Sequence, residues 1–194
     1  MRKPKSLLRL VAGAIMALGL GACSTDPVAP TEGPAFVKGG VTFTEFTATY
    51  VATGLVDPGT QKVEDGVVET RGLTVTGTVI STTLGISCDA VVEINSDLLQ
   101  SNATGPVWGK MVECVTADDG VWAGSFDGYR VITGTYPGFS WVTTLKLVFR
   151  GVSGSARGYQ IRATQVSTSN DPTNLGFTAA ITGVIFNPNA PALD

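Results

Sequence analysis

The chain of 194 residues has no histidine. That absence excludes serine–histidine–aspartate and cysteine–histidine mechanisms, together with zinc sites built on imidazole. Charge is scarce too, at 15% of the residues. There is no C-x-x-C pair, no G-x-S-x-G elbow, no phosphate-binding Walker loop and no G-x-G-x-x-G leading into a helix. No segment beyond the first 22 residues keeps an apolar stripe at i, i+3 and i+4 long enough for a helix. The composition offers instead abundant glycine and β-branched residues, as expected of an ordinary globular core with many turns and not of a disordered chain.

The first residues carry Arg2, Lys3, Lys5 and Arg9 without an acid, and an apolar run of about 13 residues follows. About 20 residues are needed to cross a bilayer as a helix, so residues 1–22 read as a secretory signal peptide and not as a permanent anchor. The run ends in Leu20-Gly21-Ala22-Cys23, which resembles the lipobox of bacterial lipoproteins at all four positions. The resemblance implies that Cys23 is lipidated and becomes the first residue of the mature chain, with membrane lipid as its partner. Each buried CH₂ contributes about 0.8 kcal/mol, so two or three acyl chains would hold the protein to a cell-envelope membrane. Ser24 in place of an aspartate favours, by the same analogy, the outer membrane.

Loss of residues 1–22 leaves nine basic residues against 16 acidic, a net charge of −7. An acidic domain is a poor partner for nucleic acid or anionic lipid. Residues 23–35, with the run STDPVAPTEGP, read as the lipidated N-terminus and an extended tether. One domain is expected over 36–188, with a short tail at 189–194.

That domain reads as strand almost throughout. In GLTVTGTVIS, residues 72–81, apolar and threonine side chains alternate. Comparable runs fall at 41–52, 87–95, 107–116, 120–128, 140–150, 158–168 and 176–187, separated by turn signals such as Asp57-Pro58-Gly59, Asp118-Asp119-Gly120, Tyr136-Pro137-Gly138 and Asn170-Asp171-Pro172. Eight short-linked strands predict an all-β fold, a single antiparallel barrel, with a β-sandwich as the alternative. Glycines within strands, Gly77, Gly109, Gly124 and Gly183, suit the bends of a small closed sheet.

With Cys23 assigned to lipid, Cys88 and Cys114 remain, and export favours a disulfide between them over two buried thiols. If the two face each other in a hairpin, the turn centres on residue 101 within the polar stretch 96–106. That register sets Ala90 against Val112, Ile94 against Trp108 and, less comfortably, Val92 against Lys110. It also places Glu113 opposite Asp89 and Glu93 opposite Gly109, on the solvent side, which argues against an acid–base pair. Asp118-Asp119-Gly120 reads as a hairpin turn, since calcium-loop spacing is missing, and GVSG at 151–154 has no following helix to aim at a phosphate. No catalytic residue, metal or cofactor is therefore assigned.

Aromatic residues mark the candidate binding surface. Trp108, Trp122, Phe126, Trp141, Phe149 and Tyr159 are spread over consecutive strands, with Arg130 and Arg162 nearby. An eight-stranded barrel is either filled by side chains or holds one small ligand. If a pocket exists, Trp108, Trp122, Trp141, Tyr159 and Arg162 are expected on its wall.

The glycine and tryptophan spacing of GPVWG (105–109), GVWAG (120–124), GVSGSARG (151–158) leading into YQIR (159–162), and GVIFNP (183–188) resembles a group of uncharacterised bacterial proteins with an allene oxide cyclase or dirigent type of barrel. Plant relatives of that barrel guide cyclisation or coupling of bound small molecules, but none of their catalytic residues is matched in this chain. The sequence thus leaves three functions open: binding of a small apolar ligand, interaction with a protein partner, and a cyclase- or isomerase-like activity.

Overall fold

Alternation of apolar and polar residues folds this chain into nine strands in a computed structural model that describes residues 41–134, 140–170 and 176–189. They are β1 (Phe43–Asp57), β2 (Thr60–Glu64), β3 (Val67–Ser81), β4 (Ile86–Leu99), β5 (Gly105–Thr116), β6 (Val121–Thr133), β7 (Ser140–Ser153), β8 (Gln160–Ser169) and β9 (Thr178–Phe186). The signal segment 1–22, Cys23 with its tether to residue 35, the start of the 36–188 domain, the turn at 136–138, Asp171-Pro172 and all but Asn189 of the tail lie outside the described residues.

From β3 to β9 each strand pairs antiparallel with the next, β9 pairs with β1, and β1 pairs back onto β3. Eight strands thus close into a barrel, which sets the sandwich aside. Closure gives both flanks of those strands a backbone partner and leaves no open edge among them. Alternate side chains point inward, and Phe46, Ala90, Met111, Phe126, Leu147 and Ile181 are buried in one core. Each large member stabilises the fold by about 1.5–3 kcal/mol through removal of apolar surface from water.

The eight runs read as strands all form strands, and a ninth, β2, stands outside the barrel. β1 pairs with β3 from Ile80 to Thr74, and beyond the Asp57-Pro58-Gly59 corner β2 takes over the same flank from Arg71 to Val67. Asp57 makes that corner by accepting the Gly59 N–H at 2.8 Å. The return from β2 into β3 runs through Asp65 and Gly66, both at positive φ (49° and 76°), as a type I′ hairpin turn requires. At the root of this extension the β3–β4 register shifts between Thr70 and Leu73, where the Gly72 N–H donates to the Asn95 side-chain oxygen at 2.9 Å.

Cys88 and Cys114 form a disulfide, with Cα atoms 5.3 Å apart, but in a register that differs from direct opposition. Cys114 sits opposite Ala90, and Cys88 opposite Thr116, so the bridge runs diagonally across the pair. A bulge then intervenes: Val91 pairs with Glu113 but Val92 with Met111, leaving Val112 as the extra residue, 47% exposed. The bulge places Val92 against Met111 inside the barrel and Glu93 against Lys110 outside, where their side chains form an ion pair at 2.8 Å. The expected pairs Ala90–Val112, Ile94–Trp108 and Val92–Lys110 are thereby replaced, with Ile94 facing Gly109 and Asn95 facing Trp108. Glu113 faces Val91, not Asp89.

The barrel differs at its two ends. Near the disulfide, the 3-10 turn Gly154–Ala156 after β7 carries Ala156 into the same buried core as Trp122 and Ile161. At the other end, where β7 begins and β8 finishes, the Trp141 indole N–H donates to the Asn102 carbonyl at 2.7 Å and ties the β4–β5 connection to the rim.

Candidate functional site: the barrel interior

The inward rows of β6, β7 and β8 change character along their length. From the disulfide end, β8 presents Ile161 and Ala163 and then Gln165, Ser167 and Ser169; β7 presents Leu147 and Leu145 and then Thr143; β6 presents Phe126 and then Arg130. Short polar side chains fill less of the interior than leucines would, and a cavity of about 100 Å³ remains there. At about 10–15 Å³ per water position, it has room for several waters or one small organic molecule. Val79, Val92, Ile94, Phe126, Leu147 and Phe149 supply apolar wall, while Tyr50, Arg130, Thr143, Gln165, Ser167 and Ser169 supply polar atoms.

Two of those polar groups are held in defined settings. The Arg130 Nε–H donates to Thr143 Oγ1 at 3.2 Å, bridging β6 and β7, and burial lowers the guanidinium pKa from its ordinary value. It is a cation across the physiological range nonetheless. Tyr50, 5% exposed, lies with its ring 5.6 Å from that of Phe177. Burial pushes its phenol pKa up to about 12.

Among the residues expected on the wall, Trp141 lines this cavity, as do Phe126, Phe149 and Arg130. Trp122 lines a separate cavity of about 30 Å³ beside Cys88 and Cys114. Trp108, Tyr159 and Arg162 line neither cavity. Strand alternation is the reason for two of them. Val107 takes the inward position, leaving Trp108 outside under the Arg71 guanidinium at 5.0 Å. Ile161 likewise points in and Arg162 out, its guanidinium 5.8 Å from the Phe186 ring. Tyr159 precedes β8 as an exposed residue whose backbone closes the turn, bonding Ala156 and Gly151.

The sequence reading missed Tyr50, Thr143, Gln165, Ser167 and Ser169. The period-2 alternation of QIRATQVSTS was visible, but both of its faces are polar toward the C-terminus, so the pattern alone did not say which row faces in. Among the described residues, no three His, Cys, Asp or Glu side chains converge as a metal site. The Asp118 carboxylate, weighed as a calcium ligand, sits in the β5–β6 turn, where hydrogen bonds from Thr116 and then Ser155 hold its pKa below the ordinary value.

No family model and no curated protein match this chain. Among solved structures, the crystal structure of a conserved protein of unknown function from Rhodopseudomonas palustris is similar at 14% identity and a TM-score of 0.39, over 75% of this chain and 97% of that one. The class defined by fold and site is therefore a closed eight-stranded β-barrel with an internal cavity. Its function has to be argued from the interior.

Proposed function

We propose that this protein is a lipoprotein of the bacterial cell envelope, held to a bilayer by acyl chains on Cys23, whose barrel binds a small apolar ligand. The observation carrying the binding reading is the division of the 100 Å³ cavity into an apolar wall and a polar cluster. Small-molecule sites share that division: apolar contact supplies affinity and a few placed polar groups fix orientation. Anchoring rests on the basic start, the short apolar run and Leu20-Gly21-Ala22-Cys23.

Native mass spectrometry of the full chain in mild detergent tests the binding half. A bound small molecule is expected on the wild type and not on Val92→Phe, which fills the cavity from β4. A wild type with no adduct, and no uptake of added aromatic compounds, refutes it. For the anchoring half, Cys23→Ser is expected to move the protein from the membrane fraction to the soluble one. Unchanged membrane association refutes that half alone.

A further inference from the structure

Three cavity-lining positions of β6, β7 and β8 stand opposite one another, and all three are polar. Arg130 pairs with Thr143, and Thr143 pairs with Ser167, so a guanidinium and two hydroxyls form one row across the wall. On the other flank of Arg130, β5 contributes Gly105, which puts no side chain into the row. The neighbouring rows add Gln165, opposite Leu145, and Ser169, opposite Trp141. Toward the disulfide end the wall turns apolar, first with Phe126 and Leu147 and then with Val79, Met111, Phe149 and Ile181, which this cavity shares with the one of about 30 Å³.

Charge in the cavity has one sign. Of the described residues lining it, Arg130 is the charged one, and no aspartate or glutamate joins it there. Burial already withdraws the guanidinium from water, as its lowered pKa records, so that share of an ion pair's desolvation cost falls on folding and not on binding. A guanidinium carries five N–H donors in one plane, and the Thr143 contact engages the Nε–H. Thr143 accepts that bond and keeps its own hydroxyl proton to give.

These features select the head of the ligand. A planar carboxylate matches the guanidinium fork in shape, and its single charge balances the single cation. A phosphate monoester, at about −1.5 to −2, would carry excess charge into an otherwise apolar chamber. Resting on the binding reading above, we infer that the cavity takes an amphipathic monocarboxylate, its carboxylate on the Arg130–Thr143–Ser167 row and its ring or short chain directed toward Phe126, Leu147 and Met111.

Benzoate and benzamide provide the test, because they share a shape and differ in charge. Each is titrated at pH 7 into the full chain by calorimetry, as wild type and as Arg130→Gln. Wild type is expected to bind benzoate at least about tenfold more tightly than benzamide, the worth of charge-assisted hydrogen bonds, a comparison that needs no variant to fold. Arg130→Gln is expected to weaken benzoate by about the same factor and to change benzamide by less than about twofold. Benzamide binding to wild type as tightly as benzoate, or equal effects of Arg130→Gln on the two probes, overturns the carboxylate inference while leaving the cavity reading standing. Failure of both probes to bind wild type overturns the cavity reading, and the carboxylate inference with it.

Discussion

Tyr50 and Gly77 require each other, since the ring of one occupies the side-chain position of the other. Gly77→Ala is therefore expected to destabilise by about 1–3 kcal/mol through overpacking, read as a lowered midpoint in thermal melts. The phenol also sets an alkaline limit. Its pKa rises from 10.0 to about 12 on folding, so folding favours the protonated form. That contribution is intact below about pH 10 and fades between 10 and 12, where the unfolded chain alone releases the proton, by up to about 2–3 kcal/mol. Tyr50→Phe is expected to flatten this part of the curve, measured by denaturant midpoints across the same pH range. The sequence marked Gly77 as a glycine within a strand, but not why. The cause lies in the pairing of β1 with β3, where Tyr50 stands opposite Val79 and beside the Ala52–Gly77 pair.

Among the described residues, the outer flank of β2 pairs with no strand, and its five residues are all exposed. Lys62 and Glu64 pair with each other on that strand, and charged residues of this kind discourage edge-to-edge association. Lys62→Val with Glu64→Val is expected to raise self-association in sedimentation experiments while far-ultraviolet circular dichroism stays unchanged. The turn that creates β2 depends on Gly66, at φ 76° with nothing within 4 Å of an added Cβ. Gly66→Val is expected to cost about 1–2 kcal/mol locally, as faster hydrogen exchange in β2 and Val67–Arg71 without change in β6–β8. Asp65-Gly66 between VE and VV is a legible hairpin signal, yet TQKVE has a single apolar residue and buries none, so alternation could not reveal the strand. The Val112 bulge was hidden for a related reason. Extrapolation from two cysteines assumed an unbroken ladder, and a single extra residue redirects every side chain after it.

At the scale of the molecule, closure and the disulfide were legible because both follow from counts: eight alternating runs, and two cysteines on neighbouring strands. The interior volume was not, because it depends on which of two polar rows of β8 turns inward. The bridge closes a sequence separation of 26 residues, so Cys88→Ala with Cys114→Ala is expected to cost about 3–4 kcal/mol, read from chemical denaturation. The bridge and buried Ala156 reinforce one rim, whereas the opposite rim is tied by the Trp141–Asn102 bond between a side chain and a carbonyl. Met111, Phe126 and Leu147 are buried in the core between the two. On the binding reading proposed above, a guest would enter and leave by the same doorway, so the vessel would store or hand over its cargo and not conduct it from one side to the other.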